Sequence, residues 1–456
     1  MASYTFFHLL LLVLLFSSHE IEKRCSWGRE MANHEEHDTY AVEMKSLTPA
    51  TTCKGKAQKR GLTLAHRQGP CSPLAAHRQS RDSKGIFLRD QARVHSINIL
   101  RQSRMLIAGN HGENARLPIR SSSPRASEFV VTIGLGTPKV DLTLIFDTGS
   151  DITWTQCKPC LGCYPQKDPL FEPSKSTTSS PCSASNCTYS IDYADGSHSN
   201  GYYVRDLLTL TPEYQFQDFI FGCSENNSHD FGATSGILGL GQGDKTLISR
   251  VEQKFSNIFC YCIPGSKNSN GYLLFGFDAL SNCQTENITP LIIDQHEPSF
   301  YFVNLVGIAL GNQKFSLSSE SPPPKTIIDS GTTFTRLPPS IYNAVREEFD
   351  KYMSKYPRAK SPSTVWTLDT CYDLRGQENV NLPTVTLQFE KTNVTLDPSA
   401  IVWRVNDDDA QVCLAFKPNP KRPDQAIIGN AQQRNLNILF NIRDEEFHFG
   451  RGDCAN

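Results

Sequence analysis

At 456 residues the chain is long enough for two or three domains and a sizeable core. Its formal charge of −2 hides an asymmetry: residues 1–125 carry 19 Lys/Arg against 10 Asp/Glu, and residues 126–456 carry 26 against 37. A basic front segment can lie on an acidic body by attraction, and the four histidines of that body (His198, His229, His296, His448) stand in no nucleophile motif, which speaks against a Ser-His-Asp or Cys-His hydrolase.

Residues 5–16 form an apolar run too short for a membrane span, followed by Ser17 and Ser18. They predict a secretory signal peptide over residues 1–24. No other apolar run approaches the length of a span, and the polar C-terminus carries no lipid-anchor signal. Residues 25–125 read as a pro-segment. Lys54 to Arg60 is basic, and Cys53 and Cys71 can pair with each other. From Arg89 to Met105 the spacing of Phe87, Val94, Ile97, Leu100 and Ile107 predicts a helix. Leu117 to Ala126 is a serine-rich linker, flanked and interrupted by Arg116, Arg120 and Arg125, where processing is expected. Nucleic-acid binding by the basic stretch is disfavoured, because its charges are few and no aromatic platform accompanies them.

The body (residues 126–456) reads as all-β. Short β-branched or aromatic runs cut by Gly, Pro, Asn and Ser predict strands at Phe129–Ile133, Leu142–Phe146, Phe219–Gly222, Tyr272–Gly276, Phe300–Ile308, Val385–Phe389 and Asn437–Asn441. Helices are expected at Leu247–Phe255 and, after Pro338-Pro339, at Ser340–Lys355. Within this frame Asp147-Thr148-Gly149-Ser150 returns as Asp329-Ser330-Gly331-Thr332, 182 residues later. An apolar-apolar-glycine element follows each copy, at Gly236-Ile237-Leu238-Gly239 and at Ile427-Ile428-Gly429. The same two signals in the same order imply a duplicated lobe, here 126–310 and 311–456, with one carboxylate from each lobe at a shared site. The glycines are expected to supply unusual backbone angles, and the hydroxyls to orient the carboxylates. Two carboxyls in contact share one proton, so one can take a proton from water while the other donates to a carbonyl oxygen.

These motifs resemble the pepsin-like aspartic proteases, and within them the plant nepenthesin-like group; aspartic proteases are themselves a known example of such a shared proton. The resemblance covers about Glu128 to Cys454 and implies a bilobal fold with the active site between two related lobes. It implies that Asp147 and Asp329 are catalytic, that Ser150 and Thr332 orient them, and that Thr148, Gly149, Ser330 and Gly331 support the two loops. Tyr193-Ala194-Asp195-Gly196 looks like the flap turn, with alanine where relatives usually carry glycine; Trp154 matches the tryptophan that bonds the flap tyrosine. The two apolar-glycine elements would cross behind the loops. The phrase His66-Arg67-Gln68-Gly69-Pro70-Cys71 is similar to one in plant relatives that include a chloroplast nucleoid DNA-binding aspartic protease. In relatives the pro-segment blocks the cleft, a basic side chain pairing with the aspartates until acid breaks the pair.

Twelve body cysteines (Cys157, Cys160, Cys163, Cys182, Cys187, Cys223, Cys260, Cys262, Cys283, Cys371, Cys413, Cys454) suit six disulfides in an oxidising compartment, as in nepenthesin-like relatives, with pairings unreadable from sequence. The Cys157, Cys160, Cys163 spacing also resembles half a metal or iron–sulfur motif, which secretion disfavours. Asn186, Asn226, Asn287 and Asn393 begin glycosylation sequons. The expectation is therefore a secreted, monomeric aspartic endopeptidase made as a zymogen. It would need no metal or cofactor and no membrane anchor, act on protein or peptide substrates in acid, and be inhibited by its own pro-segment; vacuole and plastid are the other compartments considered. The alternative is a catalytically silent homologue that inhibits a cell-wall glycosidase; such homologues typically carry a damaged motif, and both motifs here are intact. A glycosidase would also use two carboxylates but needs no duplicated turns.

Overall fold

The computed structural model describes Asp38–Cys454 except residues 48–50, 56–59, 78–82, 109–118, 122–127, 183–186, 194–196, 229–230, 318–324, 360–367, 405–409 and 420–424. The expected signal peptide, most of the processing linker, Asn186 and the flap-tip residues Ala194, Asp195 and Gly196 lie outside the described residues. From Thr39 onward the chain is one unit.

The strands form where the sequence alternates or runs apolar. Thr188–Tyr193 buries Tyr189, Ile191 and Tyr193 and turns Thr188, Ser190 and Asp192 to solvent, the period of two that a half-buried strand requires. Val140–Asp147 is buried from Leu142 onward, as befits a strand covered on both faces. Among the described residues the strands assemble into a 15-stranded and an eight-stranded sheet, with two smaller sheets of two and three strands. Each large sheet delivers one aspartate. In the first, Phe129–Leu135 pairs antiparallel with Val140–Asp147, which ends on Asp147. In the second, Tyr301–Leu310 pairs antiparallel with Lys325–Ile328, which ends one residue before Asp329. This is the expected bilobal architecture.

The apolar-glycine elements lie where the duplication placed them. Gly236–Gly239 runs parallel to Val140–Asp147, with Gly239 opposite Asp147. Ile427–Ile428 runs parallel to Lys325–Ile328, and the Asp329 amide donates to Ile428 O at 3.1 Å. Gly236 must be glycine, since a Cβ there would stand 2.0 Å from Trp154 O.

Helices are few. Pro339–Tyr352 starts on a proline and buries Tyr342, Val345 and Phe349, one helical stripe. The helix expected over Leu247–Phe255 is broken into Leu247–Arg250 and Glu252–Phe255, Val251 leaving the helical range between them.

The front segment is woven into the body. Thr39–Glu43 pairs antiparallel with Asn379–Pro383. Leu62–His66 fills the slot between Asn270–Phe275 and Phe129–Leu135. The helix Ser83–Ala108 follows, and Ile119–Ser121 then runs parallel to Thr188–Tyr193. Cys53–Cys71 closes within this segment. The twelve body cysteines form Cys157–Cys223, Cys160–Cys163, Cys182–Cys187, Cys260–Cys283, Cys262–Cys454 and Cys371–Cys413. The thiols that resembled half a metal motif are thus spent on two disulfides.

Candidate active site

Asp147 and Asp329 meet in a fully buried cluster. Their loops grip each other reciprocally: the Thr148 amide donates to Ser330 Oγ at 3.0 Å, and the Ser330 amide donates to Thr148 Oγ1 at 3.0 Å. Ser150 Oγ donates to Asp147 Oδ2, and Thr332 Oγ1 donates to Asp329 Oδ2 at 2.5 Å. The Gly149 and Gly331 amides each donate to Oδ1 of their own aspartate at 3.0 Å. Each of the four carboxylate oxygens therefore has a donor within its own loop, which fixes the carboxylate planes.

The glycines act differently from the expectation. Neither Gly149 nor Gly331 has a positive φ. A Cβ on Gly149 would lie 2.9 Å from Asp329 Oδ1, and one on Gly331 2.6 Å from Asp147 Oδ1. The requirement is for space between two loops in contact rather than for an unusual backbone angle.

A third charged group completes the cluster. Arg93, on the helix Ser83–Ala108, is fully buried between the carboxylates. Its Nη2 donates to Asp147 Oδ1 at 2.8 Å and to Asp329 Oδ1 at 2.6 Å. Nη1 donates to Asp147 Oδ2 at 2.9 Å, and Nε to Asp329 Oδ2 at 3.0 Å. The planar guanidinium suits two carboxylates at once, as an ammonium would not. Burial works against the charge on Arg93, but Asp147 and Asp329 outweigh it and hold the group more basic than usual. Burial pushes the Asp147 carboxyl above its ordinary value; Arg93 pulls it down and Asp329 pushes it up. Burial is the largest of these influences, and together with the facing Asp329 it outweighs Arg93, which is why the net direction is upward.

One turn before Arg93 on the same helix, Asp90 is also fully buried. Its Oδ1 accepts the amides of Thr333 at 2.9 Å and Phe334 at 3.1 Å, and its Oδ2 accepts from the Arg336 guanidinium. Phe87 stacks on Phe334 with ring centroids 5.4 Å apart. Val94 and Ile97 pack with Phe300, Phe302, Ile327 and Ile427. The sequence predicts the helix, and the family resemblance a blocking basic side chain, but neither singles out Arg93 or Asp90. The available signal is their spacing: Phe87, Asp90, Val94 and Ile97 fall on one helical face, and charges on an apolar face must find partners.

Trp154 Nε1 donates to Tyr193 OH at 3.1 Å, and both rings pack edge-on to Phe231. Of the sequons, Asn226 and Asn393 are exposed, while Asn287 is half-buried and accepts from Thr392 Oγ1 at 2.9 Å.

Comparison with known proteins agrees with this geometry. Residues 129–277 match the family described as xylanase inhibitor N-terminal, and residues 300–451 match xylanase inhibitor C-terminal. The chain is 39% identical to the aspartyl protease AED1 of Arabidopsis thaliana over 91% of its own length and 92% of that protein. It is 30% identical to the aspartic proteinase nepenthesin-1 of Nepenthes gracilis over 72% of its length and 78% of that protein. Its fold is similar to the crystal structure of edgp, with a TM-score of 0.55 and 21% identity over 74% of this chain and 94% of that one. The chain therefore belongs to the plant nepenthesin-like family of pepsin-like aspartic proteases.

Proposed function

We propose that the chain is a secreted aspartic endopeptidase synthesised as a zymogen, with residues 1–24 as signal peptide and 25–125 as pro-segment. The observation that carries this reading is the Arg93 guanidinium, which occupies the space between Asp147 and Asp329 with four hydrogen bonds. A water held between the aspartates would have to displace it, so the chain as synthesised is latent.

Acid would release the block. Arg93 favours the ionised form of Asp147. Proton uptake at Asp147 and docking of Arg93 therefore oppose each other. Docking is favoured at pH values above the Asp147 pKa and weakens as pH falls through it. Because that pKa is raised, the window begins above the ordinary carboxylate value of 3.8.

Once Arg93 has left, the facing Asp329 acts on Asp147 without its opposition, and the pair retains one proton. The ionised member then takes a proton from the water, which attacks the scissile carbonyl. The protonated member donates to the developing oxyanion, and the amine leaves after proton transfer. Ser150 and Thr332 keep the carboxyl planes fixed, the Thr148–Ser330 grip keeps the loops in register, and Tyr193 closes over substrate to exclude water.

The test is digestion of a denatured protein at mildly acidic pH by the chain and by its Asp147→Asn twin, each made through a secretory host. Cleavage by the parent alone, after loss of the front segment, is the expected result. A folded parent, freed of that segment, that cleaves nothing would move the reading to a glycosidase inhibitor, the role named in the two matching family descriptions.

A further inference from the structure

A cavity of about 70 Å³ lies where the front segment meets the body, and no residue of either aspartate loop lines it. Ser46 and His66 line it from the front segment, and Lys267, Trp403, Arg404 and Arg434 from the body. A single water needs about 10–15 Å³, so the space holds several waters or one small ion. Three cationic residues line it, and among the described residues no carboxylate does. The Arg434 guanidinium lies over the Trp403 ring, 4.6 Å from its centroid, which fixes the plane of its donors. Nη1 donates to Ser399 O at 3.1 Å; among the described residues this is its one side-chain hydrogen bond, and no carboxylate pairs with it. A guanidinium carries five N–H donors, so most of them are left for a further partner. Burial brings Arg434 down to about 10, opposed by Glu128 and Asp397, neither of which lines the cavity. An anion inside would stabilise that charge directly. Trp403 in turn packs edge-on to Phe334 at 5.0 Å, the ring on which Phe87 of the front helix stacks.

We propose that this cavity binds a small free oxyanion of the phosphate or sulfate class, held by Arg434 with Lys267 and Arg404 and shared between the front segment and the body. A guanidinium matches the oxygens of a tetrahedral anion with paired N–H bonds, which a halide cannot accept in the same geometry. The volume suits the ion alone and leaves no room for a larger molecule carrying it. Because Ser46 and His66 form one side of the cavity, departure of the front segment opens the site. An ion that binds the docked state and not the open one stabilises docking in proportion to its excess over Kd. The site is independent of the endopeptidase reading, since it uses neither aspartate.

The test uses the intact, unprocessed chain at neutral pH in sodium phosphate, sodium sulfate or sodium chloride at matched ionic strength. The salts are kept in the low-millimolar range, below the concentrations at which phosphate and sulfate strengthen burial in any protein. Two quantities are read, the thermal midpoint and the rate of limited proteolysis of the front segment. With phosphate or sulfate at about ten times its Kd, the midpoint is expected to rise by about 1–2 °C and the front segment to be lost about tenfold more slowly, both saturably. Chloride is expected to do neither. In Arg434→Met both effects are expected to vanish; if that variant does not fold, Lys267→Met is expected to weaken the anion about tenfold. No effect of phosphate or sulfate, equal effects of all three salts, or effects that survive both substitutions would overturn the site. A raised midpoint with the front segment lost at an unchanged rate would overturn its sharing between the two parts.

Discussion

The two aspartate loops are near copies, yet the front helix treats them unequally. Around Asp147 and Asp329 the hydroxyl, glycine and amide contacts repeat partner for partner. The helix reaches the Asp147 loop through Arg93 alone among its described ion pairs. On the Asp329 side it adds Asp90 on Thr333, Phe334 and Arg336, the Phe87 stack, and the Val94 and Ile97 contacts. Duplication supplied a symmetric pair of carboxylates, and the front helix packs on it asymmetrically.

That comparison can be broken from its strongest point downward. Replacing Asp147 or Asp329 with Asn removes the shared-proton chemistry, and the processed enzyme is expected to lose about 10⁴-fold or more in kcat, measured on one peptide. Arg93→Met leaves two buried carboxylates facing each other. It is expected to weaken the hold of the front segment by about 3–5 kcal/mol, read as faster limited proteolysis of that segment at neutral pH. Asp90→Asn keeps the shape but loses the charge on the amides and Arg336. A loss of about 2 kcal/mol is expected in the same proteolysis readout, smaller than for Arg93 because one pair rather than two is broken. Tyr193→Phe removes the hydrogen bond from Trp154 and should cost about 1 kcal/mol, seen as a raised KM while Asp147 and Asp329 stay in place. If Asp90→Asn instead matched Arg93→Met, the added contacts on the Asp329 side rather than the carboxylate pair would dominate docking.

The parts legible in the sequence are those whose chemistry is local. A carboxylate, a hydroxyl, a glycine and a second hydroxyl after an apolar run announce a loop, and two such runs with matching followers announce two lobes. The strands at Phe129–Leu135, Val140–Asp147 and Val385–Phe389 can be read because alternation and apolar runs are local too. Arg93 is hidden among the cations of a basic segment, because only the fold decides which of them meets the aspartates. Cysteine pairing is closed for the same reason: Cys262 finds Cys454 across 192 residues. The role of Gly149 and Gly331 differs from the expected one because the clash that forbids a side chain lies in the opposite loop, not in the backbone of the turn. The helix over Leu247–Phe255 looks continuous in the sequence because its apolar spacing carries no sign of the break at Val251.

The most direct measurement compares the unprocessed wild type with unprocessed Arg93→Met at the highest pH at which the processed wild type still digests denatured protein, where docking of Arg93 is favoured, after thermal melting has established that both are folded. If one guanidinium holds both aspartates, the wild type is latent under these conditions and the variant digests at once. Equal latency of the two folded chains, or immediate activity of the wild type, would contradict it.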